Sequence, residues 1–245
     1  MNRRNLLIAS TSTVYGTTYL EYLQEVINNF FSGSEEIIFI PFARPGGATF
    51  SEYTNVAKSF FKRLDKRLNG IHESTNMKEA LSNAQGIFVG GGNTFLLLKT
   101  LYDQSLLEVI KNKINEGTPY LGTSAGSNIL GKSIKTTNDM PIVYPPSFDA
   151  IQAVPFNINP HYTDTHSESK HMGETRDTRI KEFLKYNDTI VVGLREGSYL
   201  HVVANEISLG GTHKAKIFQP GSKPIELTSN DDLSFLLKDE KTLDI

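Results

Sequence analysis

Short, uninterrupted apolar runs separated by longer stretches of helical spacing organise the first half of the chain. Leu6–Ala9 is the first run, and after the polar Ser10–Thr13 the residues Leu20, Leu23, Ile27, Phe30 and Phe31 fall on one helix face. Ile37–Ile40 is the second run and stops at Pro41; Val56, Ala57, Phe60, Phe61 and Leu64 mark the helix that follows. Ile87–Val89 ends in Gly90-Gly91-Gly92-Asn93-Thr94 and opens a long helix carrying Leu97, Leu98, Leu101, Leu106 and Ile110, after which Pro119-Tyr120-Leu121 forms a fourth run. Strands that are apolar on both faces, alternating with amphipathic helices, predict an α/β fold: a mostly parallel sheet with helices on both faces, wound by right-handed crossovers. In such sheets ligands bind beyond the carboxyl ends of the strands.

The second half changes character. Thr189–Leu194, Tyr199–Val203, Glu206–Leu209, Ala215–Phe218 and Ile225–Leu227 are short strand patterns with turn residues between them, which predicts a C-terminal antiparallel extension. There is no linker rich in Pro, Gly or Ser, no low-complexity tract and no internal repeat, so residues 1–245 are expected to form a single α/β domain.

Composition narrows the chemistry. A chain of 245 residues buries a sizeable core without cross-links, and with Cys 0 it has none to make. That removes thiolate nucleophiles, cysteine zinc sites and iron–sulfur clusters, and fits a reducing compartment. A formal net charge of -2 with both signs interspersed gives no field to attract nucleic acid or an anionic membrane. Met1–Ser10 briefly imitates a signal peptide, but its apolar run is too short, and no segment approaches the ~20 apolar residues a membrane span needs. The expectation is a soluble, cytoplasmic protein acting on a small molecule or peptide, with no nucleic-acid or membrane partner and no signal for its oligomeric state.

Candidate chemistry centres on Leu121-Gly122-Thr123-Ser124-Ala125-Gly126-Ser127, which sets a small hydroxyl between two glycines where a buried strand gives way to a helix. A sharp strand-to-helix turn forces the central residue into a strained conformation that pushes its side chain outward, and only neighbours without bulk allow it. Ser124 is therefore a candidate nucleophile; the bland reading is that small residues let a strand and a helix pack closely. The Ala125 N–H beyond it, with the Gly92 N–H of the glycine triplet, forms a candidate oxyanion hole. The triplet lacks the spacing of the dinucleotide and P-loop phosphate motifs.

A serine needs a base oriented by an acid. Among 6 histidines, His161 stands out because Asn157-Ile158-Asn159-Pro160 ends a predicted strand and leaves it at a loop. His161, His166 and His171 are evenly spaced, but five-residue steps do not share a helix face, so no metal is expected. Two acids compete to orient the imidazole: Asp139, in Thr136-Thr137-Asn138-Asp139-Met140-Pro141, and Glu196, in Leu194-Arg195-Glu196-Gly197-Ser198. Each also reads as an ordinary turn carboxylate. Arg176 and Arg179 open a predicted helix continued by Ile180, Phe183 and Leu184; cations are mildly unfavourable there, so they read either as acid recognition or as a solvated face balanced by Asp177 and Glu182.

Phe88-Val89-Gly90-Gly91-Gly92-Asn93-Thr94-Phe95, Ser124-Ala125-Gly126, Thr136–Val143, Asn159-Pro160-His161 and Gly173-Glu174-Thr175-Arg176, in that order, resemble peptidase E, the α-aspartyl dipeptidase family of serine peptidases. The resemblance runs nearly end to end, taking in Ile40-Pro41-Phe42-Ala43, Tyr53-Thr54 and Gly210-Gly211. It implies a flavodoxin-like fold similar to class I glutamine amidotransferases, hydrolysis of dipeptides with an N-terminal aspartate, and no cofactor. It also implies Ser124 as nucleophile and His161 as base, with Asn93 and Arg176 reading the aspartate side chain. Asp139 is preferred to Glu196 as the acid because a more extended motif surrounds it.

Two departures stand out: Thr123 replaces a frequent aromatic residue, and the loop from Asp164 to Lys170 lacks an expected proline and glycine. Cyanophycinases, which cut β-aspartyl-arginine units, share the Thr-Ser-Ala-Gly turn and form the second reading. A general esterase or a non-catalytic flavodoxin-like binding module are the others.

Overall fold

The structure is a computed structural model and describes residues 3–164 and 173–238. Its main sheet holds seven strands in the order β3-β2-β4-β5-β1-β8-β9. The five that run parallel are β1 (Asn5–Ala9), β2 (Glu36–Ile40), β3 (Arg67–Gly70), β4 (Gly86–Val89) and β5 (Tyr120–Thr123). Two antiparallel strands, β8 (Ser198–Val203) and β9 (Glu206–Gly211), extend it from β1.

Side-chain alternation distributes the apolar runs to both faces. Leu7, Phe39, Phe88 and Leu121 pack with Ile27, Ala57 and Phe61 of helices α1 (Gln24–Phe30) and α2 (Phe50–Lys62) and the turn after α1. Leu6, Ile8, Ile38, Ile40, Ile87 and Val89 pack on the other face, against Leu81 of α3 (Met77–Ser82), Leu97, Leu98 and Leu101 of α4 (Thr94–Asp103) and Ile110 and Ile114 of α5 (Leu107–Glu116). The start of α2 is fixed by a capping box: the Thr49 hydroxyl accepts the Glu52 N–H at 3.2 Å, and the Glu52 carboxylate accepts the Thr49 N–H at 2.7 Å.

One expectation needs correction, one strand had no forecast, and one expectation gains detail. The long helix after the glycine triplet is two helices, α4 and α5, because the chain reverses at Ser105, whose φ is 52. Strand β3 has a polar, alternating pattern in which only Leu68 and Gly70 are buried, so no apolar run announced it. The expected C-terminal antiparallel strands are present and divide between two sheets. While β8 and β9 complete the main sheet, β7 (Val191–Leu194), β10 (Ala215–Phe218) and β11 (Ile225–Leu227) build a second sheet ordered β11-β10-β7-β6. Its fourth member, β6 (Asn157–Pro160), runs parallel to β7, with Pro160 opposite Leu194. Among the described residues no helix is long and apolar enough to cross a membrane.

Candidate active site

Between Leu121 and Gly131 every residue is buried except Ser124. Its backbone sits at φ 52 and ψ -111, a conformation disfavoured for a residue with a Cβ. Close packing over-determines it: a Cβ on Gly122 would stand 2.5 Å from the Gly126 carbonyl oxygen, and one on Gly126 would stand 2.2 Å from that of Val89. The Ser124 N–H donates to Ala9 O at 3.2 Å, and the Ser127 hydroxyl donates to Ala9 O at 2.7 Å and Gly122 O at 2.8 Å. The helix that follows, α6 (Ala125–Asn128), is a single turn, so individual N–H groups rather than a summed dipole face the serine. Gly126→Ala is expected to destabilise the fold by about 3 kcal/mol or more, since the clash is with backbone that cannot rotate away. Denaturant unfolding measures this, and an unchanged midpoint would contradict the packing argument.

The second sheet delivers the candidate base. His161 follows β6, and its Nε2 lies 2.8 Å from Ser124 Oγ while its Nδ1 lies 2.6 Å from Glu196 Oε1. A carboxylate at Nδ1 keeps the proton there, which leaves Nε2 to accept from the serine hydroxyl. Glu196 stands beyond β7, the parallel neighbour of β6, so the two strand ends bring base and acid together. The side chains are 37% and 51% exposed, and so partly solvated a pair holds orientation more than it stabilises the fold.

Asp139, the acid preferred from the sequence, is elsewhere engaged. Its Oδ2 accepts the Thr94 N–H at 2.7 Å and the Thr137 hydroxyl at 3.2 Å, so the carboxylate caps the start of α4 and shows no contact with His161. The physical reason is that the first amides of a helix have no partner within the helix and carry partial positive charge, and the Thr94 N–H at the start of α4 takes up this carboxylate.

Strand β4 lies beside β5, which puts the glycine triplet next to Ser124, the candidate nucleophile. A Cβ on Gly91 would stand 3.0 Å from the Ser124 Cβ. Gly92 has φ 143, and a Cβ there would stand 2.2 Å from Ala43 O, so glycine is required twice over. Among the described residues, the N–H groups of Gly92 and Ala125 donate to no protein acceptor. Tyr53, part of the family resemblance but given no role from the sequence, is a buried tyrosine on α2 whose hydroxyl accepts the Gly91 N–H at 3.0 Å. Burial, first of all, raises its pKa and so keeps the hydroxyl protonated.

Arg176 is the first residue of α7 (Arg176–Phe183), whose N-cap is Thr175. It lines a cavity of about 170 Å³ together with Thr136, Asn138, Asn159, Arg179 and Phe183. Asn159 lies two residues before His161, and Asn138 Nδ2 donates to Pro160 O at 2.7 Å, so two lining residues are tied to the strand that ends at the candidate base. Burial lowers the pKa of the Arg176 guanidinium, Arg179 pushes the same way, and Asp139 opposes them. Among the described residues no carboxylate comes within ion-pair distance of Arg176, whereas Arg179 lies 3.7 Å from Glu174. The Asn93 carboxamide is partly committed: Oδ1 accepts the Leu96 N–H at 3.0 Å and Nδ2 donates to Met140 O at 2.8 Å, which leaves one amide hydrogen for a ligand.

Thr123 is completely buried, and among the described residues its hydroxyl has no hydrogen-bond partner. Its side chain is closed off from solvent in this structure, at the end of β5 next to Ser124. Among the described residues no three His, Asp or Glu side chains gather as a metal site; His166, His171 and the loop from residue 165 to Lys170 lie outside the described residues. A second feature the sequence did not reveal is Arg195, which donates to both oxygens of Asp164 at 2.7 and 2.8 Å and both of Glu226 at 2.9 and 2.8 Å. It ties the segment leaving His161 to the turn that carries Glu196. Its place beside Glu196 was the one available signal.

A family model described as peptidase family S51 matches residues 6–210. A Drosophila melanogaster protein named "Probable alpha-aspartyl dipeptidase" is 42% identical over 238 residues, covering 96% of this chain and 98% of that one. Peptidase E of Streptomyces coelicolor is 43% identical over 233 residues, 95% of each chain. The crystal structure of a peptidase from an acI-B1 Actinobacterium superposes with a TM-score of 0.71 at 19% identity, covering 95% of this chain and 97% of that one, which is a likeness of fold.

Proposed function

The chain belongs to peptidase family S51, and from that membership we propose that it is a serine dipeptidase that removes an N-terminal aspartate from dipeptides. The observation that carries the reading is the relay Ser124 Oγ–His161 Nε2 at 2.8 Å and His161 Nδ1–Glu196 Oε1 at 2.6 Å. Ser124 attacks the scissile carbonyl while His161 Nε2 takes its proton; the C–O bond forms as the carbonyl electron pair moves onto oxygen. The Gly92 and Ala125 N–H groups donate to that oxyanion, where one donor contributes roughly 3–4 kcal/mol of transition-state stabilisation. The intermediate collapses, the C–N bond breaks, and the leaving amine receives the proton from His161. Water then repeats the sequence on the acyl-enzyme. Glu196 holds the imidazole in the productive tautomer throughout and does not itself take up the proton.

Arg176 supplies the selectivity. A half-buried guanidinium without a carboxylate partner among the described residues meets the aspartate side chain in a bidentate pair, and the remaining Asn93 amide hydrogen is a second group open to the substrate. A panel of dipeptides with Asp, Glu, isoaspartyl and neutral N-termini tests the reading: the wild type is expected to cleave the Asp series best. Arg176→Ala is expected to reduce kcat/KM for Asp-Leu by on the order of 10²–10³, with the loss mainly in KM, because a charge-assisted pair contributes several kcal/mol. An unchanged order of preference in Arg176→Ala would remove that residue from the site. Preference for isoaspartyl substrates in the wild type would favour the cyanophycinase-like chemistry instead.

A further inference from the structure

Ser10 follows β1, the strand between β5 and β8, and it is completely buried. Its hydroxyl donates to Leu194 O at 2.7 Å and accepts the His161 N–H at 2.9 Å. Its own N–H donates to Ser198 O at 3.0 Å. Leu194 and Ser198 are the two ends of the turn Arg195-Glu196-Gly197, so one residue grips both ends of the segment that presents Glu196 and the backbone of the residue that serves as base. The residue before it, Ala9, accepts the Ser124 N–H through its carbonyl. All three members of the relay are thus referenced to the dipeptide Ala9-Ser10, although the nucleophile follows a strand of the main sheet, the base follows a strand of the second, and the acid lies in the turn that leads from β7 of the second sheet to β8 of the main one.

No strand of one sheet pairs with a strand of the other among the described residues, so the fit of Ser124 to His161 depends on the short turn Arg195–Gly197 between β7 and β8 and on contacts such as those of Ser10, and a shift of about 1 Å at a reacting pair costs on the order of 10²-fold in rate. His161 also sits at φ 52, a left-handed conformation unfavourable for a residue with a Cβ, and so needs its backbone held from outside. The Ser10 hydroxyl is the group that accepts that backbone N–H. We propose that Ser10 is a positioning residue that locks His161 and Glu196 onto Ser124 across the junction between the two sheets. This inference rests on the Ser124–His161–Glu196 relay proposed above. Ser10 touches neither substrate nor the reacting atoms and acts through the residues it holds.

The test is Ser10→Ala in the full chain, with Asp-Leu hydrolysis and the rate of Ser124 phosphonylation by a fluorophosphonate both normalised to titrated active sites. The expected result is a fall in kcat of roughly 10–100-fold with KM changed by less than about threefold, and phosphonylation slowed in proportion. Ser10→Cys, which keeps the volume but offers a weaker donor and acceptor, is expected to fall between the two and carries the test if the alanine variant does not fold. A kcat within about twofold of wild type in the folded variant overturns the inference, as does a loss that disappears on normalisation or falls on KM instead. Ser124→Ala is run alongside. If it is inactive while Ser10→Ala is fully active, only the inference about Ser10 fails; if Ser124→Ala is itself active, the relay fails and the inference with it.

Discussion

Replacing Ser124 by alanine is expected to lower kcat for an Asp-Leu dipeptide on the order of 10⁶-fold, equivalent to about 8 kcal/mol of lost barrier reduction. The size follows from the kind of group removed. Without the Ser124 hydroxyl there is no acyl-enzyme, and His161 and Glu196 are left with no proton to move; only the Gly92 and Ala125 amides and substrate binding still act, which together leave roughly 10³–10⁴ over water. Stability is expected to change little, because the elbow at φ 52 is imposed by the close approaches of Gly122 and Gly126, and alanine meets the same backbone constraint as serine. The variant should therefore unfold at nearly the wild-type midpoint and still bind an aspartyl dipeptide through Arg176, while losing reaction with a fluorophosphonate. Steady-state kinetics and mass spectrometry of the labelled protein check both halves. Activity within about tenfold of wild type would mean that another group attacks the carbonyl.

The parts of this protein that were legible in its sequence are those whose cause is local. Four of the five parallel strands were visible because burial on both faces writes an unbroken apolar run; β3, half-polar at the sheet edge, left no such mark. Ser124 was legible because close strand-to-helix approach demands glycines at fixed spacing, and His161 because Pro160 ends its strand. The break at Ser105 was not, since a helix interrupted by one left-handed residue keeps its apolar spacing on both sides. Nor was the division into two sheets, because which strand pairs with which is set by contacts far apart in the chain. The same reason hid Ser10, whose partners are Leu194 and His161, and Tyr53, whose partner is Gly91. A hydroxyl chosen by a distant backbone group has no sequence pattern of its own.

The choice between acids is of this second kind, and it carries the other large expected effect. Motif length around Asp139 spoke for that residue, but length reports how many positions a segment constrains and not what its carboxylate touches. Glu196→Gln is expected to reduce kcat about 10⁴-fold with KM little altered, since an amide at Nδ1 no longer enforces the tautomer that leaves Nε2 free to accept the Ser124 proton. The fold should tolerate the change, because a pair 37% and 51% exposed adds little stability. Asp139→Asn acts at a different place. It weakens the cap on the Thr94 N–H at the start of α4, a cost of about 0.3–1 kcal/mol, and it removes the negative charge that opposes Arg179 at Arg176. Its kinetic effect is therefore expected in KM for the aspartyl substrate, with kcat within about tenfold of wild type. The two amide variants thus divide between the two parameters, and measuring both on one Asp-Leu substrate decides the assignment. A larger kcat loss in Asp139→Asn than in Glu196→Gln would return the orienting role to Asp139 and require the loop at residues 137–140 to move toward His161 in the working enzyme.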